Sequence, residues 1–91
     1  MKLYKNEAGE KLYPVCRWEQ NQHKIYNAVD RAHIRMWDED HSDRACDEVD
    51  RLERLLDAFN ENVIDGLVYA PYKVGQQIKE VIANYNIRVG A

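Results

Sequence analysis

Ala45, Val49, Leu52, Leu56, Phe59 and Val63 recur at alternating steps of four and three residues. That spacing puts all six on one stripe of an α-helix, whereas a strand would send them to opposite faces. Leu55 widens the stripe. About two and a half heptads are too few for a long supercoil, so the pattern predicts one arm of a helical hairpin over residues 43–62. Asp47 with Arg51, and Asp50 with Arg54, stand four apart in the favourable acid-first order.

The other arm precedes it. Trp18, Ile25, Val29, Ala32 and Met36 keep helical spacing, and Gln22, Tyr26, His33 and Trp37 occupy the adjoining arc. The uncharged face is therefore wide. Ile34 lies behind it, and Lys24, Arg31 and Arg35 fall together on the opposite side. The spacing predicts a helix over residues 19–37. Beyond the second arm, Asp65-Gly66 marks a turn, and Leu67–Ala70 reads as a short strand or an extended linker. Pro71 suits the first position of a third helix carrying Val74, Ile78, Val81, Ile82 and Tyr85, to about Asn84. Gly75 inside it costs up to about 1 kcal/mol relative to alanine, which implies a close backbone approach there.

Ahead of the helices, Lys2–Lys5 and Lys11–Cys16 flank the turn residues Asn6-Glu7-Ala8-Gly9, as in an N-terminal β-hairpin. Pro14 lacks an amide donor and belongs on an edge. Asn86-Ile87-Arg88-Val89 alternates, which would let it add a strand to that hairpin. The expected architecture is one α+β domain over residues 1–91, mainly helical. It has an antiparallel helical hairpin, a third helix packed across it, a small N-terminal β-hairpin and room for a C-terminal strand.

Ninety-one residues with 45% hydrophobic and 32% charged side chains fit a small soluble domain. Cys16 and Cys46 stand far apart and suggest no disulfide framework. The first residues hold no apolar run for a signal peptide, and no stretch approaches the roughly 20 residues of a membrane span. A cytoplasmic location without membrane contact is the expectation.

The acids Asp38, Glu39, Asp40 and Asp43 crowd around His41 between the two arms. As a calcium loop starting at Asp38, the segment puts Asp43 where the turn needs glycine and Val49 where the twelfth ligand should be glutamate. As a zinc site, His23, His33, His41, Cys16 and Cys46 lack any close ligand pair. Glycines 9, 66, 75 and 90 are isolated, so no phosphate-cradling loop occurs, and no nucleophile frame is present. No metal, no cofactor and no catalytic residue is expected. Helix capping explains the acids better: Asp40 or Ser42 can accept from the free amides of the second arm, whose first turns favour Asp43, Asp47 and Glu48.

Charge is polarised along the chain. Residues 1–37 carry seven basic and four acidic side chains, and residues 38–57 carry three basic and nine acidic, within a net charge of −3. An acidic arc through Asp43, Asp47, Asp50, Glu53 and Asp57 extends further than capping requires. The expectation is a non-enzymatic module that binds another protein, basic in character, and forms a homodimer through the first helix. Tyr26, Ile34 and Trp37 are its candidate anchors, and those five acids its charged surface. Each aromatic taken alone is more often core than interface. Nucleic-acid binding through Lys24, Arg31 and Arg35, helped by Lys2, Lys5, Lys11 and Arg17, is less favoured in an acidic chain. A third alternative is an acidic mimic of nucleic acid from a phage or mobile element.

Overall fold

The computed structural model describes the backbone of residues 4–90 and the side-chain surroundings of residues 4–85. Its elements run β1 (Tyr13–Arg17), α1 (Trp18–Asp38), α2 (Asp43–Glu61), β2 (Val63–Ile64), β3 (Leu67–Ala70) and α3 (Tyr72–Gly90). The protein is α+β and mainly helical, with α1 and α2 antiparallel across a corner of four residues, 39–42.

That corner is built by capping. The amide of His41 donates to the Met36 carbonyl (2.8 Å) and that of Asp40 to the Trp37 carbonyl (3.3 Å), the paired bonds of a Schellman motif closing α1. Asp40 (φ 51°) and His41 (φ 59°) are both left-handed to make it. Asp40 thus occupies the position where glycine is usual. Ser42 opens α2, its Oγ accepting from the Ala45 amide at 3.2 Å. Of the two caps expected, Ser42 is the one used. Ser42 also donates to the Glu39 carboxylate at 3.1 Å.

The three helices and the sheet share one core of Ile25, Val29 and Ala32 from α1, Val49, Leu52, Leu55 and Phe59 from α2, Val68 and Ala70 from β3, and Ile78 and Val81 from α3. The seam of α2 is rotated slightly from its expected centre. Leu55 is buried, whereas Leu56 is half-buried at the flank. The reason is a third packing surface: α3 and β3 meet α2 beside α1, so the buried arc widens on the Leu55 side. Val63 is not on the helix at all; it starts β2 and is exposed.

The sheet has the order β1-β3-β2, all antiparallel. Asp65 (φ 53°) and Gly66 (φ 79°) form the two-residue turn between β2 and β3. Positive φ at both positions matches the right-handed twist of the strands, which is why Asp-Gly is favoured there. The Gly66 carbonyl also accepts from the Trp18 amide at 2.9 Å, giving α1 its first amide partner. β1 pairs with β3 from Tyr13 opposite Ala70 to Arg17 opposite Leu67, with a bulge between Pro14 and Cys16. Pro14 does lie on an edge strand.

The N-terminal hairpin is seen among the described residues as its turn and the Lys5–Lys11 bridge, with Leu12 donating to the Tyr4 carbonyl at 2.8 Å. Its second strand runs on into β1, which also pairs with β3, whose Val68 and Ala70 are core. Lys2 and Leu3 lie outside the described residues. Residues 86–89 add no strand: α3 continues through them to Gly90, since nothing in that run breaks a helix already propagating from Tyr72. At Gly75 a Cβ would sit 3.1 Å from the Val15 Cγ2, the close approach its place in α3 implies.

Candidate interaction surface

Two ion pairs define the two sides of the α1–α2 hairpin. Arg35 Nη1 donates to both oxygens of Glu48 at 2.7 and 2.6 Å on one side. His33 Nε2 and Glu53 Oε1 lie 3.0 Å apart on the other, a full ion pair whenever the imidazole is protonated. At about 100° per residue, these pairs flank the core ridge of each helix. Among the described residues the expected pairs along α2, Asp47 to Arg51 and Asp50 to Arg54, do not close; the carboxylates that pair do so across the hairpin.

Among the described residues only one side is covered. α3 packs on the Arg35–Glu48 side, where Val81, Asn84 and Tyr85 face Ala28 and Leu52. Among the described residues the His33–Glu53 side is the more open one. There Tyr26 is 46% exposed, Ile34 61% and Trp37 68%. Tyr26 and Trp37 fall within roughly 20° of each other around α1, with Ile34 about 60° beyond Trp37 and away from every packed element. The Trp37 ring meets the edge of His41 at 4.5 Å between centroids, which holds it against the corner. Trp18 differs: it packs against the core and its indole donates to Asn60 Oδ1 at 2.8 Å. The wide uncharged face of α1 is thus divided. Its Ile25–Val29–Ala32 strip is core, and its Tyr26–Trp37 strip is surface.

All five acids of the arc are exposed on α2. Asp43, Asp47, Asp50 and Asp57 point away from the core, and Glu53 turns toward α1 and His33. Glu53 therefore joins the carboxylate arc to the aromatic strip, making one surface of an apolar ridge beside an acidic one. Arg54 stands within the arc without closing an ion pair among the described residues.

The basic stripe lies on the opposite side. Arg35 is held by Glu48, and the Arg31 guanidinium lies 5.7 Å from the centre of the Tyr85 ring. Lys24 is half-buried. Arg31 is exposed but lies beside Tyr85 of α3, and Arg35 is committed to Glu48, so the stripe is not a row of free cations. Sequence spacing missed this because it places residues around one helix and says nothing of which side a third helix will cover. Arg51, from α2, joins them around the cleft that α3 leaves.

The remaining chemistry is sparse. No group of three or more histidine, cysteine, aspartate or glutamate side chains able to hold a metal occurs among the described residues. Cys16 is half-buried, and burial pushes its thiol above the ordinary range, against the weaker opposing pull of Lys79 and Lys24. It therefore resists ionisation, the reverse of an activated nucleophile. No helix among the described residues is long and apolar enough to cross a membrane. No protein-family model matches the chain, and no curated protein or solved structure is significantly similar to it.

Proposed function

We propose that the chain is a non-enzymatic interaction module, and that the surface formed by Tyr26, Ile34 and Trp37 beside the acidic arc of α2 receives a basic, amphipathic segment of another protein. The observation that carries this reading is the exposure of three large apolar side chains on the side of the hairpin that α3 leaves open. Large aromatic side chains dominate interface energies, and exposed clusters of them mark interaction sites. The neighbouring carboxylates select the occupant. Asp43, Asp47, Asp50, Glu53 and Asp57 are all exposed and continuous with the ridge, so a partner that covers both must bring positive charge. A second copy of the chain would use the same ridge, but it would bring a second acidic arc with it. Like charge disfavours that homodimer at low ionic strength.

A photoreactive side chain at position 37, compared with one at the exposed Gln77 of α3, tests the reading in the native cytoplasm or an extract of it. A polypeptide labelled from position 37 alone, through a basic segment, and no longer labelled when Ile34→Glu or Asp50→Lys is introduced, is the expected result. Equal labelling from both positions would remove the assignment. Self-linkage from position 37 would give the surface to a second copy.

A further inference from the structure

The cleft on the covered side is lined by Arg31, Arg35 and Arg51, with Glu48, Asn84 and Tyr85 completing its polar wall. It offers about 90 Å³, room for a few waters, between α1, α2 and α3, and is open to solvent on one side. Three guanidinium groups face one carboxylate in a chain whose net charge is −3. Such a local reversal of sign raises the local concentration of anions. The single carboxylate is already committed: both Glu48 oxygens accept from Arg35, which fixes that guanidinium in place. Arg31 is steered by the Tyr85 ring. Arg51 closes no ion pair among the described residues, so its donors remain for a ligand.

We infer that this cleft is a binding site for a phosphate group. Three guanidinium groups less one carboxylate leave the lining at +2, which a phosphate dianion balances, and guanidinium forks match phosphate oxygens in geometry. Arg51 and Arg31 donate to it, Asn84 supplies an amide donor, and Arg35 is held by Glu48 as the fixed wall. The cleft has room for a phosphate and opens to solvent, so the rest of a phosphoester can project outward. The inference does not depend on the acidic and aromatic surface, which lies on the other side of the hairpin.

The test is a titration of the isotopically labelled protein with inorganic phosphate, ionic strength being held constant with chloride and the arginine Nε–H signals followed. Saturable shifts at Arg31, Arg35 and Arg51, with a rise in melting temperature, are expected. Arg51→Gln and, separately, Arg31→Gln should weaken binding about 10- to 100-fold, the effect of losing one charge-assisted hydrogen bond. Arg54→Gln, about 60° around α2 from Arg51 and outside the lining of the cleft, should leave it nearly unchanged. Both Arg51 and Arg31 are exposed, so the variants should keep the wild-type amide spectrum. Linear, non-saturating shifts, or equal effects of Arg51→Gln and Arg54→Gln, overturn the assignment. A nucleoside monophosphate and a short single-stranded oligonucleotide, added as competitors, identify the source: displacement by the first alone means a small phosphoester, and by the second alone a nucleic-acid backbone.

Discussion

At the scale of single residues, the corner between α1 and α2 shows what the acids there do. Ser42 caps, Asp40 bends, and Glu39 receives the Ser42 hydroxyl. Ser42→Ala should cost about 1 kcal/mol in chemical denaturation, the usual loss of an N-cap. Asp40→Gly should be neutral or stabilise by up to about 1 kcal/mol, because glycine adopts the left-handed region freely. Asp40→Val should destabilise, since a β-branched residue at positive φ is strained. If Asp40→Gly instead destabilised and removed a bound cation, the capping account would fail. Cys16 gives a pH prediction with a definite sign. Its folded pKa lies above the unfolded one, so the native state keeps a proton that the unfolded state releases. That contribution to stability is complete below the unfolded pKa and shrinks as pH rises through it. Alkylation of Cys16 should accordingly be slower in the native protein than in urea at alkaline pH, and equal rates would contradict its burial.

At the scale of elements, helices were legible and their neighbours less so. The 4–3 spacing of Val49, Leu52 and Phe59 predicted α2 within a residue of its ends, and all three are core. The same spacing centred the seam on Leu56, and the structure moves it toward Leu55 because α3 and β3 pack beside α1. Leu52→Ala and Leu55→Ala should each cost about 2–5 kcal/mol in equilibrium denaturation, with Leu56→Ala clearly less. Equal losses at 55 and 56 would mean that the seam is not rotated. Strand partners were the hardest part to read. Asp65-Gly66 signalled a turn, but the two-residue strand Val63–Ile64 before it was too short to show a period. The pairing of β1 with β3 depends on contacts fifty or more residues apart in sequence. Gly75 was readable as a close approach, though not that Val15 is what approaches. Gly75→Ala should gain helix propensity and lose packing at Val15, so the deficit should disappear when Val15→Ala is added. A double-mutant cycle with no coupling would show that the two do not share this space.

At the scale of the molecule, the two sides of the hairpin carry opposite chemistry. Three arginines line the cleft under α3, and the open side joins an apolar ridge to an acidic arc. The candidate anchors Tyr26, Ile34 and Trp37 were legible as a group on one helix, while whether they were core depended on where α3 packed. Their exposure now separates stability from binding. Trp37→Ala and Ile34→Glu should each change folding stability by no more than about half a kcal/mol, as surface substitutions do, whereas core positions of that size would lose several. Ionic strength then distinguishes the occupants. Between about 0.01 M and about 1 M salt the Debye length falls from about 30 Å to about 3 Å, so attraction between the acidic arc and a basic partner is largely screened. Contact between two copies would respond in the opposite sense, because screening removes the repulsion between their arcs. Sedimentation of the isolated protein at the low end of that range should therefore give a monomer, unchanged by Ile34→Glu. A dimer there, dispersed by Ile34→Glu, would mean that the ridge outweighs the repulsion and that a second copy is its occupant.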